Sequence, residues 1–198
     1  MNNVDIEKKY LEIQDEMSQL PVIENGWIDY SGVDWVTGIE FFVWHEGEFL
    51  LLKRSGKVGA QCGLWSNIAG YMEKGVSLED LMIKELEEET QIKPEDVVSK
   101  KMIDYCEFVL HDTGKVWRHF LGTLELSSKP RVQLDWEHDN YRWIRPDQLD
   151  EMRGEMCPYL GVFLEMDLAR GQLELLENKE KQIQADANTE ESSNDNEK

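Results

Sequence analysis

The most constraining stretch of the chain runs from Ser77 to Ile92 and reads SLEDLMIKELEEETQI. Its apolar residues recur at helical spacing. Ser77 with Asp80 resembles a capping box, Asp standing in for the usual Glu or Gln. A glutamate-rich helix ordinarily turns its charges to water, and helical phase tests whether this one does. At about 100° per residue from Leu78, the residues Leu81, Met82 and Leu86 fall near 300°, 40° and 80°. On the same scale Glu88, Glu85 and Glu89 fall near 280°, 340° and 20°. The three carboxylates therefore share the apolar side, whereas Asp80, Lys84 and Glu87 occupy the outer side.

Three carboxylates within one turn, on a face turned toward the protein, repel one another and lose hydration. They must take up protons or bind a cation. A hard divalent ion suits them: Mg²⁺ or Mn²⁺ prefers carboxylate oxygens and keeps open positions for phosphate oxygens. The i, i+3, i+4 spacing of Glu85, Glu88 and Glu89 lets one helix supply all three ligands.

The rest of the chain narrows the class. Its 198 residues suit one domain with terminal extensions, and 40% hydrophobic residues with seven Trp suffice for a real core. A formal net charge of −20 argues against a nucleic-acid or anionic-membrane binder, since both need basic surface. It leaves room for phosphorylated small molecules, because metal ions and a few cations make a site locally positive. Cys62, Cys106 and Cys157 form no C-x-x-C pair and read as reduced thiols of a cytoplasmic protein. No signal-like N-terminus and no apolar run of membrane length are seen.

Residues 5–19 read as an amphipathic helix, followed by an aromatic connector to residue 35. Strands are expected at 37–45 and 49–52, joined at Glu46-Gly47-Glu48, and at 65–71, with the acidic helix at 78–90. Two longer strands at 101–110 and 116–126 flank a turn near Asp112-Thr113-Gly114. A short strand at 141–144 leads through Pro146 into a short helix at 147–152. A last helix is expected at 158–177, and an acidic disordered tail from 178 to 198. This order predicts an α/β class, an α/β/α sandwich around a mixed sheet. The domain is expected over 36–152, with the helix after residue 153 packed on it.

From Gly70 to Ile92 the chain resembles the Nudix box, G-x5-E-x7-R-E-U-x-E-E-x-G-U with U aliphatic. Gly70 matches the first glycine, Glu85-Leu86 the E-U pair, Glu88-Glu89 the E-E pair and Ile92 the last aliphatic. The flanks Leu52-Lys53-Arg54, Gly63-Leu64-Trp65 and Tyr141-Arg142-Trp143-Ile144 agree. Three positions depart: Val76 replaces a Glu, Lys84 the Arg and Gln91 a Gly. In the family that Arg orients the neighbouring catalytic Glu, and Lys84 keeps its charge without the planar fork. Gln91 stands where Gly supplies a left-handed helix end, so strain or a different cap is expected.

The resemblance implies hydrolysis of a nucleoside diphosphate linked to another moiety, or of a similar organic pyrophosphate, with Mg²⁺ or Mn²⁺. It implies Glu88, Glu89 and the Gly70 carbonyl as metal ligands, with Glu85 a third ligand or the general base. A carboxylate outside the box often joins the site; Glu137 is the first candidate and Glu107 the second. Arg54, and after it Lys53, would meet phosphate, and Trp65 could stack on a base. His111, His119 and His138 lack a ligand spacing and read as non-catalytic. No nucleic-acid or membrane partner is expected, and a homodimer is admitted. Two rivals stand beside this reading: a catalytically weak nucleotide-binding module, and an enzyme like the isopentenyl diphosphate isomerases. The latter use a Cys near the strand before the box, where this chain has Asn67-Ile68-Ala69.

Overall fold

The computed structural model describes residues 5–24, 26–109 and 114–169. Helix α1 (Ile6–Ser18) starts at Asp5, whose carboxylate accepts from the Lys8 N–H at 3.0 Å, and buries Ile13 and Met17. Strands β1 (Trp35–His45) and β2 (Glu48–Arg54) turn at Glu46 and Gly47, both at positive φ. They pair only at Trp44–Phe49 and His45–Glu48, then separate.

The 65–71 segment, expected as one strand, fills this fork as two. Strand β3 (Trp65–Ser66) pairs with β2, and β4 (Ile68–Tyr71) pairs with β1 from Gly38 to Phe41. The break at Asn67 was invisible in the sequence because each half is satisfied by a different neighbour. Strands β5 (Val97–Val109) and β6 (Val116–Leu126) form a long antiparallel pair, and β6 runs parallel to β1 along ten registered residues. Strand β7 (His138–Ile144) completes the seven-stranded mixed sheet on the outside of β2. The short helix after Pro146 is a 3₁₀ helix, Pro146–Met152. Helical backbone spans 160–169; the expected remainder of that helix, the acidic tail and most of the 112–114 turn lie outside the described residues.

Alternation along the strands sends side chains to two cores. Ile39, Phe41, Val43, Leu50, Leu52 and Phe120 meet α1 and helix α2 (Leu78–Thr90) on one face. Phe42, Phe49, Leu51, Trp65 and Leu121 meet Met152 and the 160–169 segment on the other. The fold is the α/β/α sandwich expected from the element order, with a mixed sheet.

Helix α2 occupies the predicted residues. Ser77 Oγ accepts the Asp80 N–H at 3.1 Å and lies 2.7 Å from the Asp80 carboxylate. Leu78, Leu81, Met82 and Leu86 are buried against the sheet. At roughly 1.5–3 kcal/mol each, these side chains drive the docking of this face. That is enough to carry a glutamate under with them, because a buried carboxyl lowers its own penalty by holding a proton or a partner cation.

Candidate active site

Docking α2 this way separates its three inward-phased carboxylates by depth. Glu89 is only 6% exposed, and its Oε2 is buried without a hydrogen bond. Glu85 is half-buried. Glu88 is exposed at the rim, with Lys84 Nζ 3.8 Å away. The helical phase placed Glu88 at the edge of the apolar arc, and the structure puts that edge in solvent.

Two glycines shape the wall opposite Glu85. A Cβ on Gly70 would stand 2.1 Å from Glu85 Oε1, so only a glycine lets the carboxylate lie along β4. A Cβ on Gly38, the register partner of neighbouring Tyr71, would stand 2.8 Å from the Gly70 carbonyl oxygen. A side chain at Gly38 would therefore crowd that oxygen. The sequence reading missed Gly38, since its significance arises only from the β1–β4 pairing.

The loop before β7 closes the far side. Its backbone runs along the end of α2: Gln133 N–H donates to Thr90 O at 2.9 Å and Asp135 N–H to Glu89 O at 3.3 Å. Buried Ser55 then stitches the loop to the end of β2. Its N–H donates to Glu137 O at 2.7 Å and its hydroxyl to Trp136 O at 2.9 Å. This places Glu137 next to Arg54, which immediately precedes Ser55, and Arg54 Nε donates to Ala60 O at 3.1 Å. His138, read from sequence as non-catalytic, has Nδ1 3.6 Å from Glu89 Oε2 and 3.3 Å from Asp135 Oδ1. Burial pushes its imidazole below the ordinary range, against the pull of Asp135. It borders the carboxylates without any ligand spacing in the sequence that could have announced it.

Electrostatics register the convergence. Burial, then the charge of Glu88, pushes the Glu85 carboxyl up to about 7. Burial, then Glu85, Glu137 and Asp135, holds Glu89 well above the usual carboxylate range. Glu137 is raised by burial and Asp135, with Arg54 opposing. This is the signature of acidic groups gathered without enough positive charge.

Other candidates lie elsewhere. Trp65 is 1% exposed in the second core, with Lys53 Nζ 5.6 Å and Arg142 Cζ 4.8 Å from its ring centre. A base finds no open face there, and Lys53 is turned to Trp65. Glu107 lies on β5, bonded by Tyr105 Oη and 3.8 Å from Arg118 Nε. His119 pairs with Glu40 at 3.0 Å, and His111 lies outside the described residues. Cys62 is exposed and its Sγ donates to Val58 O at 3.1 Å.

Among the described residues, no three His, Cys, Asp or Glu side chains already stand at metal-ligating positions. The donor set nevertheless fits a hard divalent cation. It offers carboxylate oxygens, the Gly70 backbone carbonyl and a buried Oε2 with no hydrogen bond. Among the described residues no helix is long and apolar enough to cross a membrane.

Comparison with known proteins identifies the fold. Solved structures with similar folds include a MutT protein from Methanosarcina mazei Go1, at 25% identity and TM-score 0.57, covering 68% of this chain and 94% of that one. A Nudix hydrolase from Nitrosomonas europaea aligns at 17% identity and TM-score 0.57, covering 68% and 89%. The Nudix domain of Shewanella oneidensis NrtR, solved with ADP ribose, aligns at 16% identity and TM-score 0.58, covering 84% and 98%. No curated protein sequence matches the chain. Nudix hydrolases act on small-molecule substrates and generally use divalent cations. The model of the NUDIX domain matches residues 38–164, more than half of the chain, which therefore belongs to the Nudix family of pyrophosphohydrolases.

Proposed function

We propose that the protein cleaves the pyrophosphate bond of a nucleoside diphosphate linked to another moiety, or a similar organic pyrophosphate, with Mg²⁺ or Mn²⁺. The observation that carries this is Glu89: a carboxylate 6% exposed, one oxygen unbonded, crowded by Glu85, Glu137 and Asp135. No stable fold gathers such groups without a cationic partner or protons to neutralise them.

Glu88, Glu89 and the Gly70 carbonyl would hold the cation, with Glu85 as a third ligand or the base. When bound, the cation neutralises pyrophosphate charge and supports an attacking water. Arg54 binds phosphate oxygens through its planar fork. Glu85, with its carboxyl raised to about 7, is poised near neutrality to take the proton from that water. Glu137 is the alternative base, beside Arg54. The neighbour solved with ADP ribose makes that nucleoside diphosphate sugar a sensible first compound.

The test is a panel of nucleoside diphosphate derivatives and sugar diphosphates, with Mg²⁺ or Mn²⁺, read as phosphate products. Turnover of at least one compound that stops in chelator is expected. Tight binding with no turnover across the panel would instead support a nucleotide-binding module, the reading that Val76, Lys84 and Gln91 favour.

A further inference from the structure

Helix α1 precedes the stretch that matches the family, yet its side chains reach into the box loop between β4 and α2. Tyr10 Oη donates to the Val76 carbonyl at 2.9 Å. Gln14 grips the loop twice: Nε2 donates to Glu73 O at 2.8 Å, and Oε1 accepts the Gly75 N–H at 2.9 Å. In the other direction, Lys74 Nζ donates to Ser18 O at 3.2 Å and Leu20 O at 2.8 Å, at the C-terminal end of α1. A connecting loop ordinarily leaves its backbone groups to water. Here an element more than fifty residues away satisfies them.

With its backbone pinned, Glu73 accepts a hydrogen bond from Lys84 Nζ through its carboxylate. Lys84 Nζ is in turn 3.8 Å from Glu88 Oε1. Val76, where the box pattern has a carboxylate, instead packs its side chain against the α1–α2 core. The acid stands three residues earlier. Both members of the Glu73–Lys84 pair are about 40% exposed, so its contribution to stability is small and does not explain the clamp. A lysine ammonium on a four-carbon stem does need an anchor to hold one position.

We propose that Glu73, fixed by the Gln14 clamp of α1, is a positioning residue that holds Lys84 between itself and Glu88. The N-terminal helix is thereby a working part of the active site. The geometry stands by itself; only the consequence for turnover rests on the proposed function.

Full-length protein carrying Glu73→Gln, Gln14→Ala or both is compared with wild type by Mn²⁺ calorimetry, kcat and KM, melting temperature, and hydrogen exchange over residues 72–77. The control is Glu16→Gln, which removes the ion pair of α1 with Arg118 on β6 and leaves the loop bonds alone. Each single variant is expected to weaken Mn²⁺ binding or lower kcat about tenfold at unchanged KM, with the melting temperature unchanged in Glu73→Gln and slightly lower in Gln14→Ala, which loses two hydrogen bonds. Gln14→Ala also speeds exchange at Gly75. The double variant is no worse than the poorer single one, since both cut one linkage. Glu73→Asp recovers part of the loss. Wild-type behaviour of Glu73→Gln, losses that multiply in the double variant, or an equal loss in Glu16→Gln would each overturn the proposal. Weakened Mn²⁺ binding in Glu73→Gln, in a protein whose wild type turns over nothing, would sink the proposed reaction and leave the positioning role intact.

Discussion

Glu87 and Glu89 are two residues apart on α2 and chemically identical, yet the fold puts them to opposite uses. Glu87 faces outward and meets Lys93 Nζ at 2.5 Å, a solvated pair beside the end of the helix. Glu89 faces the sheet, 6% exposed, with an unbonded oxygen and three other acids pressing on it. The first is satisfied by solvent and the Lys93 ammonium. The second is held in place by the burial of Leu81, Met82 and Leu86, and is incomplete until something positive arrives. A count of glutamates would not distinguish them; depth does.

The comparison breaks most directly by substitution. Glu89→Gln is expected to lower turnover by about 10²–10³-fold, several kcal/mol of lost charge stabilisation. In chelator at alkaline pH it should melt higher than wild type, because a buried glutamine needs neither a proton nor a cation. Glu87→Gln should change neither quantity measurably. Equal losses in the two variants would erase the distinction.

Acidity sharpens it. Glu85 and Glu89 are both raised in the folded protein, so the native state holds their protons more tightly than the unfolded chain does. The contribution of Glu85 to stability is full below the ordinary 4.5 and is lost as pH rises through about 7, and that of raised Glu89 is lost in the same direction. Metal-free protein should therefore melt several degrees lower at pH 8 than at pH 5, and Mg²⁺ or Mn²⁺ should flatten that slope by competing with protons. A melting temperature that instead rises over this range in chelator would show that the carboxylates are already compensated.

The smallest effect concerns the helix end beside these residues. Gln91 adopts the left-handed conformation, φ 58° and ψ 14°, with its N–H bonded to Glu87 O at 2.9 Å. The cap that the box pattern assigns to glycine is thus kept without one. Gln91→Gly should relieve the strain and stabilise by about 0.5–1 kcal/mol in denaturant titration, with Mg²⁺ dependence unchanged.

Much of the fold was legible because periodicity and end signals agree. The apolar spacing of 78–90, the Ser77 cap and the helix at 6–18 are local facts, and the structure has them at nearly the same residues. The division of 65–71 at Asn67 was not legible, because strand pairing with β2 and with β1 decides it. Nor were the roles of Gly38, Ser55 and His138, each of which depends on a contact across the sheet or loop.

The sequence by itself determined that three glutamates ride one arc of an amphipathic helix in the spacing of the Nudix box. Helical phase and residue order need no tertiary contact. Only the tertiary structure decided how deep each one goes, that Glu88 sits in solvent and Glu89 does not, and that the loop carrying Glu73 is held by the N-terminal helix. Burial and long-range hydrogen bonds are properties of packed surfaces, and no local pattern in the chain encodes which surfaces meet.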